Sequence, residues 1–325
     1  MMEMLTEKAR RQKRIIVFPE GAVPIIREAA RSLAADAIVT PVLLGGSETE
    51  EWRAALLRNE GLSIEVITPS VSSNLASYTK RYSVEHAMPP AAGERIISQD
   101  LYYAAMMVHT GDAHGMVAGI SYPTEQVLMA AELIIGLSEN IGCISSFFLM
   151  DIPGFSGSEQ GLLVFADPAV NPDPDSAQLA DIAISTAESV QDLLGWTPRV
   201  AMLSFSTHGS AEHPRAAKVA EATALVRKKA PHILVDGEIQ ADAALIESVA
   251  KRKIQTENPV AGKANVLIFP DLDSANIGSK LVQRLGQAAS YGPVLQGTRR
   301  PVSDLSRGAT LDDIIGAAIL VAARK

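Results

Sequence analysis

The segment Ser303-Asp304-Leu305-Ser306-Arg307-Gly308-Ala309-Thr310-Leu311-Asp312-Asp313 sets three hydroxyls, a guanidinium and three carboxylates close together. A planar guanidinium captures phosphate oxygens two at a time, and a neighbouring hydroxyl adds a further hydrogen bond to an oxygen gaining negative charge. The same spacing also reads structurally. Thr310 suits a helix N-cap, and Asp312 and Asp313 would then complement the positive end of that helix. The two readings are compatible. A second candidate is the small-residue run Ser204-Phe205-Ser206-Thr207-His208-Gly209-Ser210-Ala211. Placed after a buried strand, the N–H groups of Ser206, Thr207, His208, Gly209 and Ser210 could form a nest for phosphate, with an ordinary capped turn as the alternative. His208 could add a pH-dependent charge there or stand by as a surface histidine. A third stretch, Asp236 to Asp242, carries three acids, which fit either oxygen ligation of a metal or a polar loop before a capped helix. No metal site is expected.

Composition narrows what these groups can act on. The 325 residues are 47% hydrophobic and 20% charged, with a formal net charge of −8. That balance keeps a protein soluble but offers no general field for nucleic acid or anionic lipid, so an anionic ligand needs a local cluster of donors. The single cysteine, Cys143, leaves no intrachain disulfide framework. It stands in an apolar stretch, where an inert thiol is the simpler reading than a nucleophile. The charged N-terminus lacks the apolar core of a secretory signal, and no apolar run reaches the roughly 20 residues of a membrane span. The chain is expected to be cytoplasmic.

The elements that must position these residues follow from hydrophobic periodicity. Apolar runs at 14–19, 37–44, 63–68 and 115–119 read as buried strands, alternating with helices over 23–35, 50–59, 102–109 and 124–137. Residues 70 to 95, with their MPPAAG break, read as an irregular connection. Two runs at 144–150 and 161–166, separated by a glycine- and serine-rich turn, read as a hairpin or arch. Strands at 199–205, 233–236 and 264–269 then alternate with helices over 177–194, 214–229, 242–253 and 274–285. After Gly292 the segment PVLQGTRRPVSDLSRG reads as a loop, and a last apolar helix runs from 311 to 324. The rhythm implies α/β architecture with parallel sheets covered by helices. A change of pattern near residue 142 marks a domain junction.

Several blocks also stand together in one order: FPE near the start, GDAHGMVAG, NPDPDSAQLADIAI, RVAMLSFSTHGSA, DGEIQADAA, NPVAGKANVLIFPDL, NIGSKLVQRLG and PVSDLSRG. This series resembles the phosphate acetyltransferase family, densely from about Leu163 onward and more thinly before it. The resemblance implies two α/β domains with an interdomain cleft, related in fold to the isocitrate and isopropylmalate dehydrogenases. It makes the first domain discontinuous, 1–141 plus 292–325, with 142–291 as the second. It also implies a stand-alone catalytic form and a homodimer.

The activity implied is reversible transfer of an acetyl group between coenzyme A and phosphate, with propionyl or butyryl transfer, or binding without turnover, as alternatives. Coenzyme A and acetyl phosphate enter as substrates, and no permanently bound cofactor is expected. Matching DLSRG carries over Ser306 as stabiliser of the reacting group, Arg307 as holder of the acyl phosphate and Asp313 as the base for the thiol. The family's coenzyme A arginines align with Arg81 and, less conservatively, with Met129. His208 stands where relatives commonly carry lysine, and Ala309 where they commonly carry cysteine.

Overall fold

The computed structural model describes residues 2–324 and divides into two compact units, 2–137 with 298–324, and 138–297. In the first unit five strands lie side by side in the order Glu65–Ile67, Thr40–Leu44, Ile15–Phe18, Gly115–Ala118 and Val302–Asp304, all parallel. The side chains of the inner strands are buried on both faces, as a sheet covered by helices requires, while the edge strand Glu65–Ile67 stays partly exposed. The C-terminal helix Leu311–Ala323 packs directly on this sheet. A Cβ on Gly115 would stand 2.4 Å from Val321 Cγ1 and 2.8 Å from the Pro301 carbonyl, so the bare backbone there permits the close approach. The first helix, Met2–Gln12, buries Leu5 and Ala9, and Gln12 Nε2 donates to the Ala323 carbonyl at 3.3 Å.

In the second unit the order is Ala289–Gln296, Ser145–Asp151, Leu162–Ala166, Val266–Ile268, Arg199–Leu203 and Leu234–Ile239. Ser145–Asp151 runs antiparallel to both of its neighbours, and the remaining pairings are parallel. Met150, Leu163, Phe165, Ala201, Leu203, Ile239 and Leu267 share one apolar core. The long helix Ser176–Leu194 opens with a reciprocal capping box between Asp175 and Gln178 and stops at Gly195, which has φ 70°.

Four sequence expectations need correction. Residues 70–95 are not irregular, for they contain the helices Leu75–Glu85 and Pro90–Ile97. Pro90 stands at the first helical position, where its missing N–H costs nothing, so the apparent break is a start signal. The helix expected over 124–137 is α-helical only for Thr124–Ala130. A π turn, Ala131–Ile135, closes it with Gly136 N–H donating to the Ala131 carbonyl at 2.9 Å. The helix expected over 242–253 breaks at Ile246 into Ala241–Leu245 and Glu247–Lys253, since Ile246 adopts extended backbone at φ −115° and ψ 110°. The expected loop after Gly292 contains the second half of one strand, Ala289–Gln296, and all of another, Val302–Asp304. Pro293 lies within the irregularity in the pairing between Tyr291 and Val294, where a missing ladder donor is tolerated.

Candidate active site

The strand Val302–Asp304 delivers the serine–arginine segment. Beyond it Leu305 N–H donates to the Ala118 carbonyl at 2.7 Å, after which the chain turns out to solvent. Ser306 shapes that turn, its carbonyl accepting from Ala309 N–H at 2.9 Å and its Oγ from Gly308 N–H at 3.3 Å. Arg307 is exposed and has no ion pair with any described carboxylate. Its guanidinium therefore keeps all its donors for an external anion.

Thr310 and Asp313 form a reciprocal capping box at the start of the last helix. Asp313 Oδ2 accepts from both Thr310 N–H and Thr310 Oγ1–H at 2.8 Å, and Thr310 Oγ1 accepts from Asp313 N–H at 3.3 Å. Both side chains are exposed. One carboxylate oxygen is thus committed to the cap, and the other has no hydrogen-bond partner among the described residues. Geometry lets Asp313 cap and accept a proton at once.

The small-residue turn is occupied from within. Glu238, buried at the end of the neighbouring strand, accepts from Gly209 N–H at 2.7 Å and from Ser206 Oγ at 2.8 Å. Ser206 Oγ accepts in turn from Ala211 N–H at 3.1 Å, and Ser210 Oγ from Thr207 N–H at 2.9 Å. Thr207 Oγ1 joins Gln240. An incoming phosphate would have to displace the Glu238 carboxylate from the Gly209 amide. His208 is not a lone surface histidine, because its Nε2 lies 3.0 Å from Asp236 Oδ2 and 3.1 Å from Oδ1. Arg227 meets the same buried Asp236 at 3.2 Å. The third acid, Asp242, pairs with Lys253 at 2.9 Å. The three acids of residues 236–242 are thus each engaged by separate partners, and no described group of three or more His, Cys, Asp or Glu side chains is arranged to hold a metal ion. Cys143 is half-buried rather than buried.

Arg81 and Met129 both belong to the first unit. Arg81, on Leu75–Glu85, donates from Nε to Glu85 Oε1 at 3.0 Å, and His109 reaches the same carboxylate at 3.2 Å. Burial alone would raise the Glu85 pKa, but the hydrogen bonds and charges of Arg81 and His109 outweigh it and lower it. The Arg81 pair is exposed, so its release costs little. Met129 is 48% exposed, its sulfur 3.8 Å from Tyr102 Oη.

Two buried carboxylates behind these residues escape sequence reading. Glu20 accepts from the backbone N–H groups of Gly119 at 2.9 Å, Ile120 and Tyr122 at 3.2 Å, and Ser121. Asp304 Oδ2 accepts from Thr124 Oγ1 at 2.7 Å. The only signal for either was its place within a quoted block, FPE for Glu20 and DLSRG for Asp304.

Burial raises the Asp304 pKa to about 6, with Glu20 and Glu125 adding to the rise and the Thr124 hydrogen bond opposing it. A folded-state pKa above the unfolded one means that the native state binds the extra proton between the two values. The stability from neutral Asp304 is therefore fully present below about pH 4 and lost as pH rises through about 6. Two pKa units correspond to on the order of 3 kcal/mol. Thermal or urea melts of wild type and Asp304→Asn from pH 4 to 8 should show the variant gaining relative stability by that order, and a constant difference would refute it.

Two α/β units, an exposed guanidinium just beyond a strand end and a carboxylate in the first turn of the helix that follows fit an enzyme class that handles anions. A family profile described as Phosphate acetyl/butaryl transferase matches residues 1–322, and the chain belongs to that family. The chain is 42% identical over 321 residues to the phosphate acetyltransferase of Thermoanaerobacterium thermosaccharolyticum, covering 97% of this chain and 96% of the relative. A phosphotransacetylase structure from Streptococcus pyogenes superposes with TM-score 0.91 at 36% identity, covering 99% of this chain and 96% of that one. A structure from Salmonella typhimurium assigned to 4-hydroxythreonine-4-phosphate dehydrogenase shares the fold at TM-score 0.52 and 13% identity, over 95% and 99% of the two chains. The two-unit α/β, dehydrogenase-like fold class is therefore the family's.

Proposed function

We propose that this chain is a phosphate acetyltransferase that interconverts acetyl-CoA plus phosphate with acetyl phosphate plus coenzyme A. The observation that carries the reading is Arg307, an exposed guanidinium without an internal carboxylate, set beside Ser306 and six residues before Asp313. A thiol with an ordinary pKa near 8.5 is mostly protonated at neutral pH, so a carboxylate that takes its proton speeds attack. Sulfur then bonds to the carbonyl carbon of acetyl phosphate. The carbon–oxygen bond to phosphate breaks, phosphate leaves on Arg307, and the thiol proton resides on Asp313. Ser306 and Arg307 stabilise the charge that gathers on the carbonyl oxygen. No acyl-enzyme is needed.

Arg307 is the favoured phosphate anchor, and the turn Ser206 to Ser210 contributes only if phosphate replaces Glu238 there. The test is thioester formation by purified protein given acetyl phosphate and coenzyme A, repeated with propionyl and butyryl phosphate. Binding without turnover would sink the enzymatic reading. Preference for a longer chain would move the activity to a neighbouring acyl group, since one methylene is worth only about 1–3 kcal/mol.

Coenzyme A recognition is read on Arg81 and the surface around Met129. Where relatives carry an arginine this chain offers an exposed thioether, so Met129→Arg should lower the KM for coenzyme A several-fold and leave the acetyl phosphate KM unchanged. Steady-state kinetics with each substrate varied would check this, and an unchanged coenzyme A KM would remove position 129 from the site.

The same reading makes the protein a cytoplasmic homodimer. Support for the dimer comes from the helix Leu272–Leu285, where Ile277, Leu281 and Leu285, spaced one turn apart, stand 57%, 52% and 80% exposed. Sedimentation equilibrium should give twice the chain mass, and Leu281→Glu should shift it toward the monomer.

A further inference from the structure

Asp304 ends its strand two residues before Ser306 and is only 7% exposed. Its Oδ2 holds Thr124 Oγ1 at 2.7 Å, while its buried Oδ1 has no hydrogen-bond partner among the described residues. Thr124 opens the helix that carries Met129. The segment between the strand Gly115–Ala118 and that helix is held at its other end by Glu20, which takes four successive backbone N–H groups from Gly119 to Tyr122. Residues 119–124 are thus gripped at both ends by carboxylates. One of those grips belongs to the strand that delivers Ser306 and Arg307. The fit is close, since a Cβ on Gly119 would stand 2.5 Å from Asp304 Oδ1 and 2.6 Å from Leu305 N.

A neutral side chain would tie Thr124 at less cost, because a buried carboxylate with one unsatisfied oxygen is penalised unless its charge is used. The charged groups acting on Asp304 are Glu20, after the strand Ile15–Phe18, and Glu125, on the helix with Thr124. The strand Gly115–Ala118 carries no titratable side chain, and Asp312 and Asp313 of the last helix are exposed in its first turn. Among the described residues no cation balances the site.

We propose that Asp304 is a positioning residue for acetyl transfer, whose ionised form grips Thr124 and fixes the Ser306–Arg307 turn against residues 119–124, and whose protonation loosens that grip. The proposal rests on the reading of Ser306 and Arg307 as the acyl-phosphate residues. A hydrogen bond to an ionised acceptor is roughly twice as strong as a neutral one, so gaining a proton weakens the tie without breaking the fold. Burial places that exchange near pH 6, and among the described residues the turn beyond Leu305 is anchored through the Leu305 amide and its own local bonds.

The experiment measures kcat and KM against pH for wild type, Asp304→Asn, Thr124→Val, Thr124→Ser and the Asp304→Asn/Thr124→Val double variant. Wild-type kcat/KM should fall as pH drops through about 6, beyond any fall shared with the substrates' own titration. Asp304→Asn should lack that limb and lose about tenfold in kcat at neutral pH. Thr124→Val should match it, Thr124→Ser should recover most of the wild-type rate, and the double variant should be no slower than the singles because all act on one bond. Additive losses, or a limb near pH 6 retained in Asp304→Asn, would overturn the proposal.

Amide hydrogen exchange supplies a readout independent of turnover. Protection at residues 119–124 and 305–309 should fall as pH drops through about 6 in wild type, although global stability rises over the same range, because this local opening parts Thr124 from Asp304 while the carboxyl stays buried; it should stay level in Asp304→Asn. If wild type forms no thioester, the functional reading fails while exchange still decides the positioning role. If wild-type protection ignores pH, the positioning role fails whatever the activity.

Discussion

Arg307→Lys should lower kcat/KM for acetyl phosphate by about 10²–10³-fold while leaving the melting temperature unchanged. Lysine keeps the positive charge, so a loss of this size would come from geometry. A guanidinium presents two parallel N–H groups to one phosphate, holding the acyl phosphate in a single orientation, whereas an ammonium acts as a point charge. The structure makes the stability half of the result firm. Arg307 is exposed and pairs with no described carboxylate, and surface substitutions of that kind stay within about 0.5 kcal/mol. Steady-state kinetics in both directions, beside thermal melts, would check it. Near-normal kcat/KM would remove Arg307 from the site and leave the turn at Ser206 to Ser210 as the remaining anion candidate. That turn would then have to release Glu238, and Glu238→Gln should raise phosphate affinity.

The parallel strands were legible because each is a short aliphatic run bounded by glycine, proline or small polar residues, as Ile15–Phe18 and Arg199–Leu203 are. The elements around residues 70–95 were not, because Pro89 and Pro90 look like a break until the second is seen at a helix start. Val302–Asp304 was lost for a different reason. Three residues are too few to show alternation, and partnership with Gly115–Ala118, almost 190 residues earlier, makes them a strand.

The candidate residues Arg307 and Asp313 stand out locally by type and spacing, while the roles proposed for them come from the likeness of DLSRG to the family, since spacing alone favours a helix cap. Their supports do not stand out. Glu20 reaches the amides of residues 119–122, and Glu238 reaches Gly209 and Ser206, through pairings that no local window contains. These two contacts also revise what a glycine- and serine-rich turn implies. Backbone N–H groups grouped after a strand attract an anion, yet a buried carboxylate from a neighbouring strand can be that anion. The turn is then a rigid support unless the ligand outcompetes the chain's own glutamate. His208 follows the same logic, because its ring nitrogen already meets Asp236, a carboxylate that it shares with Arg227.

Asp313→Asn is expected to lower kcat by roughly 10²–10⁴-fold with little change in melting, which separates the base from the cap. The capping box draws on Asp313 Oδ2, which accepts from Thr310 N–H and Oγ1–H at 2.8 Å. An asparagine carbonyl oxygen can keep those bonds, and the Asp313 N–H that Thr310 receives is untouched. What disappears is the negative charge and the proton acceptor at the second oxygen. Loss of the charge in the first helical turn is worth about 0.3–1 kcal/mol, screened by exposure. A purely capping residue would therefore give a small stability loss and nearly intact turnover. A base would give the opposite, with the rate loss removed when a pre-ionised thiolate analogue replaces coenzyme A. Asp312→Asn is the internal control, because it lies in the same turn, is equally exposed and takes no part in the box. It should cost the same small stability and leave kcat alone. Equal, small effects at both positions would sink the base assignment, leave Asp313 as the cap of the last helix, and require another acceptor for the thiol proton.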